Sequence, residues 1–126
     1  MKTLKSLFAA LLLGSAAFAA TPALAHGDAA PQHGGIVKSA NDLSFELVAE
    51  GDGAAIYIDD HGQPFATANS SGKLTVLDGA SKSAATLAPA GGNKLVAAGA
   101  KLPAGAKVVA VITTAGQTVS VRFTLP

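Results

Sequence analysis

The stretch Val119-Ser120-Val121-Arg122-Phe123-Thr124-Leu125 alternates apolar and polar residues without a break. Successive side chains of a strand point to opposite sides, so this period of two gathers Val119, Val121, Phe123 and Leu125 on one face. Ser120, Arg122 and Thr124 take the other. A helix would scatter the same apolar residues around its circumference. The segment therefore reads as a strand with one dry and one wet face, the pattern of an antiparallel sheet.

Reading back from it, Thr114-Ala115-Gly116-Gln117 supplies a turn, and residues 107 to 113 form an almost unbroken apolar run. Such a run predicts a strand in the middle of a sheet. In residues 43 to 48, Leu43, Phe45 and Leu47 share one face, while Ser44 and Glu46 share the other, where Glu46 reads as a surface residue. Residues 54 to 58, 73 to 77, 83 to 87 and 93 to 97 are further strand candidates. They are separated by Asp52-Gly53, Asp59-Asp60-His61-Gly62, Asp78-Gly79 and Pro89-Ala90-Gly91-Gly92, residue types that tolerate the backbone of tight turns. Residues 97 to 106 are rich in alanine but carry Gly and Pro, which argues against a helix. The expected fold is all-β: a small antiparallel Greek-key or Ig-like sandwich, or a small barrel, over residues 34 to 126.

The other end of the chain has a different character. Lys2 and Lys5 precede a continuous apolar run from Leu7 to Leu13, and Ala23-Leu24-Ala25 offers small residues at the two positions a signal peptidase reads. The run is too short for a bilayer-spanning helix. Ala17-Phe18-Ala19 is a second possible cleavage motif, but the better match at Ala25 predicts a signal peptide over residues 1 to 25 and a periplasmic mature protein that begins at His26. There is no cysteine, so an N-terminal lipid anchor of the lipobox type has no attachment point.

Removing 25 of the 126 residues leaves 101, room for one domain. The leader takes Lys2 and Lys5 with it, which leaves seven basic against eight acidic residues and a formal charge of −1. That balance gives no warrant for nucleic-acid or anionic-membrane binding, and no membrane insertion is expected once the leader is gone. With Met1 the only methionine, the mature chain contains no sulfur, so the domain must hold together by packing alone.

An enzyme is not expected, and its one form here, an oxidative copper enzyme using His26 as half of a histidine brace, ranks behind the binding readings. There is no cysteine nucleophile, no Gly-x-Ser-x-Gly elbow, and no phosphate loop around Gly34-Gly35 or Gly91-Gly92. The histidines carry the remaining chemistry. His26, as a mature N-terminus, combines an α-amine with an imidazole that can close a chelate. His33 follows on an eight-residue arm, residues 26 to 33, and His61 sits in the Asp59-Asp60-His61-Gly62 turn. With Asp28, Asp59 or Asp60 as an oxygen ligand, the set suits Cu(II) or Zn(II), because nitrogen and oxygen donors without sulfur do not favour Cu(I). Each histidine also has a plain reading: His26 as a polar chain end, His33 as a neighbour of the bend at Gly34-Gly35, His61 as turn chemistry. Tyr57 and Phe65 flank the His61 turn. Phe65 reads as core, and Tyr57 as either a partner contact or a cross-strand neighbour of Glu46 or Val48.

Three stretches taken together, Pro31-Gln32-His33-Gly34-Gly35, Leu43-Ser44-Phe45-Glu46-Leu47-Val48 and Ile56-Tyr57-Ile58-Asp59-Asp60-His61-Gly62-Gln63-Pro64, support a comparison with a known group. The chain resembles small periplasmic β-domain proteins associated with the adaptor subunits of heavy-metal efflux systems of the resistance-nodulation-division type. The resemblance runs on through Ser71 to Leu77, Leu87 to Leu95 and Arg122 to Leu125. It implies a role in metal homeostasis, with a periplasmic efflux adaptor as partner, and His33 and His61 match the histidines of the pattern. A weaker resemblance is to periplasmic copper-resistance β-sandwich proteins whose mature chain starts with histidine, but this chain lacks their late histidine. The expected function is a Cu(II) or Zn(II) carrier or buffer with His26, His33, His61, Asp28, Asp59 and Asp60 as candidate ligands. The competing expectation is an interaction module without metal, docking through a sheet edge or the Tyr57 region.

Overall fold

Tight turns assemble this chain into hairpins, and the hairpins into one sheet. The computed structural model describes residues 29–126. The predicted signal peptide, His26 and Asp28 lie outside the described residues. Nine strands follow in order: β1 (Ile36–Ala40), β2 (Leu43–Glu50), β3 (Gly53–Asp60), β4 (Gln63–Pro64), β5 (Ser71–Asp78), β6 (Ser81–Pro89), β7 (Lys94–Ala97), β8 (Lys107–Thr114) and β9 (Gln117–Thr124). All pairings are antiparallel.

Three of the hairpins turn on two consecutive residues of positive φ: Asn41 and Asp42 (49° and 63°), His61 and Gly62 (49° and 82°), and Ala115 and Gly116 (51° and 74°). Paired left-handed residues give the type I′ geometry, whose twist matches that of the flanking strands. The β2–β3 turn differs from expectation by one residue. Glu50 pairs with Gly53, so Gly51 and Asp52 make the turn and Gly53 opens β3. A side chain at Gly53 would meet the Ala97 carbonyl oxygen at 2.4 Å, which is why this glycine belongs in the strand.

The strand order is β1-β2-β3-β7-β6-β5-β8-β9, with the short β4 paired to the end of β3. Strands β5, β6 and β7 follow one another, and β8 returns beside β5, a Greek key. β6 belongs to both halves of the sheet: Ser81 to Leu87 pair with β5, while Ala88 and Pro89 pair with β7. The outermost strands, β1 and β9, come into contact without a ladder between them. The result is the expected all-β antiparallel Greek key, in the form of a nearly closed barrel.

Its interior is filled from both halves. Phe45, Leu47, Ile56 and Ile58 of β2 and β3 meet Leu74, Leu87, Leu95, Val108, Ile112 and Phe123, all buried. Phe65 packs against this cluster as a partly buried neighbour, in keeping with its reading as core. β8 lies inside the sheet between β5 and β9, as its apolar run predicts, although only one of its faces is fully buried. Val108, Ala110 and Ile112 are buried, but Val109 is half-buried and Val111 is 38% exposed. β-branched residues fit a pleated, partly exposed strand surface, so valine at 109 and 111 needs no cover over the outer face. Among the described residues no helix is long and apolar enough to cross a membrane.

Candidate functional site

Glu46 lies mid-way along β2, opposite Val37 of β1 and Tyr57 of β3. Expected at the surface, it is only 4% exposed, because the chain entering β1 folds over it. Gln32 N–H donates to Oε1 at 2.9 Å, and His33 N–H and Gly35 N–H donate to Oε2 at 2.8 and 2.9 Å. One carboxylate thus fastens three backbone groups of the arm. Burial acts to raise the Glu46 carboxyl, but the N–H groups of Gln32, Gly35 and His33, helped by the His33 charge, outweigh it and hold the group below its ordinary value.

The two glycines beside His33 make this clamp possible. Gly34 adopts φ = +73°, and a side chain on Gly35 would lie 2.2 Å from the Leu47 carbonyl oxygen. The first turns the chain and the second lets it lie flat on β2. The bend expected at Gly34-Gly35 is therefore present, and it has a purpose that the sequence did not disclose: it presents amide groups to a carboxylate.

The clamp fixes His33 against Tyr57. Their rings are stacked, with centroids 3.6 Å apart and planes 12° from parallel. Tyr57 is itself tied down. Its hydroxyl donates to Glu50 Oε2 at 2.7 Å, Glu50 Oε1 accepts from Lys94 Nζ, and that ammonium lies 5.6 Å from the Tyr57 ring centroid. Tyr57 and Lys94 are register partners across β3 and β7, so the trio is a cross-strand product. The bond from Lys94, then that from Tyr57, holds Glu50 below its ordinary value. Acceptance by Glu50 raises both the Tyr57 hydroxyl and the Lys94 ammonium. The cross-strand neighbour of Tyr57 is Glu46, as expected, but its hydroxyl is used by Glu50.

His61 occupies the first left-handed position of the β3–β4 turn, which carries its side chain away from the barrel, 78% exposed. Its Nδ1 lies 2.6 Å from Asp60 Oδ1. A carboxylate on one imidazole nitrogen orients the ring and leaves Nε2 outward, the arrangement found behind many metal-bound histidines. Asp59 turns elsewhere and accepts from Asn93 Nδ2 at 3.3 Å. The same amide also donates to the Ile58 carbonyl at 3.1 Å.

The candidate ligands therefore divide. His33 lies on the middle of β3 and His61 beyond its end, roughly 13 Å further along at strand spacing. Among the described residues no three His, Asp or Glu side chains converge closely enough to hold an ion. His33 has the Glu46 clamp and the Tyr57 platform, His61 has Asp60 alone, and the arm bearing His26 and Asp28 leads into His33. Sequence reasoning missed Glu46, Glu50 and Lys94. The adjacent glycines at 34 and 35 were the available signal for Glu46, since backbone stripped of side chains commonly lies against something. No protein-family model, no curated protein and no solved structure matches this chain.

Proposed function

We propose that the protein is an exported metal-binding protein, a Cu(II) or Zn(II) carrier or buffer, in which His33 is the anchored ligand. The observation that supports this reading is the clamp. Glu46 fixes the backbone on both sides of His33 and Tyr57 fixes its ring plane, yet neither engages the imidazole nitrogens. A ligand whose backbone and ring are already ordered loses little entropy when it binds. His26 and Asp28 precede it on the same arm and supply further nitrogen and oxygen donors of the type these ions take. His61, paired with Asp60, is a separate and weaker ligand. A role beside a heavy-metal efflux adaptor rests on the sequence resemblance.

The test is native mass spectrometry of the exported protein during titration with Cu(II) and Zn(II). One retained ion is expected, lost in His33→Ala and kept in His61→Ala. Uptake that survives His33→Ala removes the proposal.

A further inference from the structure

The outer face of the β6-β5-β8-β9 half carries an arrangement unrelated to the histidines. Strand register sets Lys82, Leu77, Lys107 and Thr124 in one row, and Thr75, Val109 and Arg122 in the next. Lys73, Val111 and Ser120 make a third. With strands about 4.8 Å apart and same-face residues about 6.8 Å apart along each strand, neighbouring cations stand roughly 8 to 12 Å from one another. Lys73, Lys82, Lys107 and Arg122 are all exposed.

Among the described residues no acidic side chain shares this face. Asp42, Glu46, Glu50, Asp52, Asp59 and Asp60 belong to β2, β3 and their turns, and Asp78 alternates to the opposite side of β5 from Leu77. Among the described residues no acidic side chain pairs with any of the four cations. A mature charge near −1 therefore conceals two faces of opposite sign. A charged surface senses the near one, because fields decay within about 8 to 10 Å at ordinary salt.

Between the rows lies a depression of about 240 Å³, lined by Leu77, Lys107, Val109, Arg122 and Thr124. An arginine fork, an ammonium and a hydroxyl converging on a small concavity are the donors a phosphate group takes. The same face also holds Leu77 and Val111, at 36% and 38% the exposed large hydrophobic residues among those described. A soluble polyanion would leave both in water. A lipid headgroup region would cover them while its phosphates met the cations.

We propose that this face docks on an anionic lipid surface, with a lipid phosphate seated between Lys107 and Arg122. Leu77 and Val111 then reach the headgroup boundary, and the acidic β2–β3 side is turned away by repulsion. Binding is peripheral and involves no insertion of the barrel. It does not depend on the metal reading, since neither His33 nor His61 lies on this side.

The experiment is co-sedimentation of the exported protein, its N-terminus verified by mass, with two kinds of vesicle. One is equimolar phosphatidylglycerol and phosphatidylcholine, the other phosphatidylcholine alone. Binding to the anionic vesicles is expected at about 0.01 M salt, with release near 0.15 M as the screening length shortens. Each neutralised cation lowers the partition constant about fivefold, so Lys107→Gln with Arg122→Gln lowers it about twenty-five-fold. Lys73→Gln with Lys82→Gln is a second pair that leaves the depression intact and acts in the same direction. Equal binding to neutral vesicles, or indifference to both pairs, overturns the proposal. So does a depression that takes inorganic phosphate, read by shifts of the Arg122 side chain, in a protein that ignores anionic vesicles.

Discussion

The imidazole of His33 lies flat on the ring of Tyr57, centroids 3.6 Å apart, although the two residues belong to an arm and a strand that share no ladder hydrogen bond. Glu46 is the intermediary, since it pairs with Tyr57 across the sheet and binds the backbone of His33. The stack leaves the imidazole edge, where both nitrogens lie, directed away from the tyrosine ring.

Tyr57→Phe keeps the platform and loses only the bond to Glu50. His33 ring protons should retain their ring-current displacement in this variant and lose it in Tyr57→Ala, which also forfeits about 0.5 to 1.5 kcal/mol of aromatic pairing. Proton NMR of the histidine ring reads the difference. Unaltered shifts in Tyr57→Ala would contradict the stack.

Glu46→Ala should release the arm without unfolding the barrel. Freed amides can find water, so the expected loss is about 1 to 3 kcal/mol rather than a penalty for every bond. Limited proteolysis checks it: new cleavage before Ile36 is expected, with the strands protected as before.

Acid should do the same. The folded Glu46 carboxyl lies below its ordinary value of 4.5, so its contribution is complete above that pH. It is lost progressively as pH falls from about 4.5 through the folded value. Amide protection at Gln32, His33 and Gly35, taken relative to the intrinsic exchange rate at each pH, should therefore fall below that pH before protection of the β8–β9 amides responds. Glu46→Gln should remove the pH dependence.

Gly35→Ala should be more damaging than an exposed alanine substitution has any right to be. The added carbon would sit 2.2 Å from the Leu47 carbonyl oxygen and must push β1 away from β2. A loss of about 2 kcal/mol or more by urea denaturation is expected, comparable to overpacking a core. Gly34→Ala would instead strain a φ of +73° in open space, at about 1 to 2 kcal/mol.

Ala115 holds φ = +51° in the β8–β9 turn, a conformation that asparagine adopts more readily. Ala115→Asn should stabilise the fold by about 0.5 to 1 kcal/mol, visible as a raised Tm. No gain would mean that the turn is not type I′ in solution.

The strands that alternate cleanly, β2 and β9, and the turns at His61-Gly62 and Ala115-Gly116 were legible from residue types, because period and backbone preference are local. β4 was not, since Gln63 and Pro64 show no period and pair only because the turn brings them back. β8 was legible as an interior strand, but not the exposure of its outer face, because valine serves both a buried face and a strand's intrinsic preference. At the candidate site, His33 and His61 are visible in the sequence as donors, but their separation along β3 depends on where the arm packs, which no local pattern encodes. Glu46 pins that arm at its last residues. The segregation of Lys73, Lys82, Lys107 and Arg122 needed register across four strands, which no single stretch encodes.

β6 pairs with β5 through Leu87 and with β7 from Ala88 onward, so one backbone passes from one half of the barrel into the other. The two halves therefore share one continuous strand. Its histidine-bearing and lysine-bearing sides are the outer faces of different strands, so covering one would leave the other exposed.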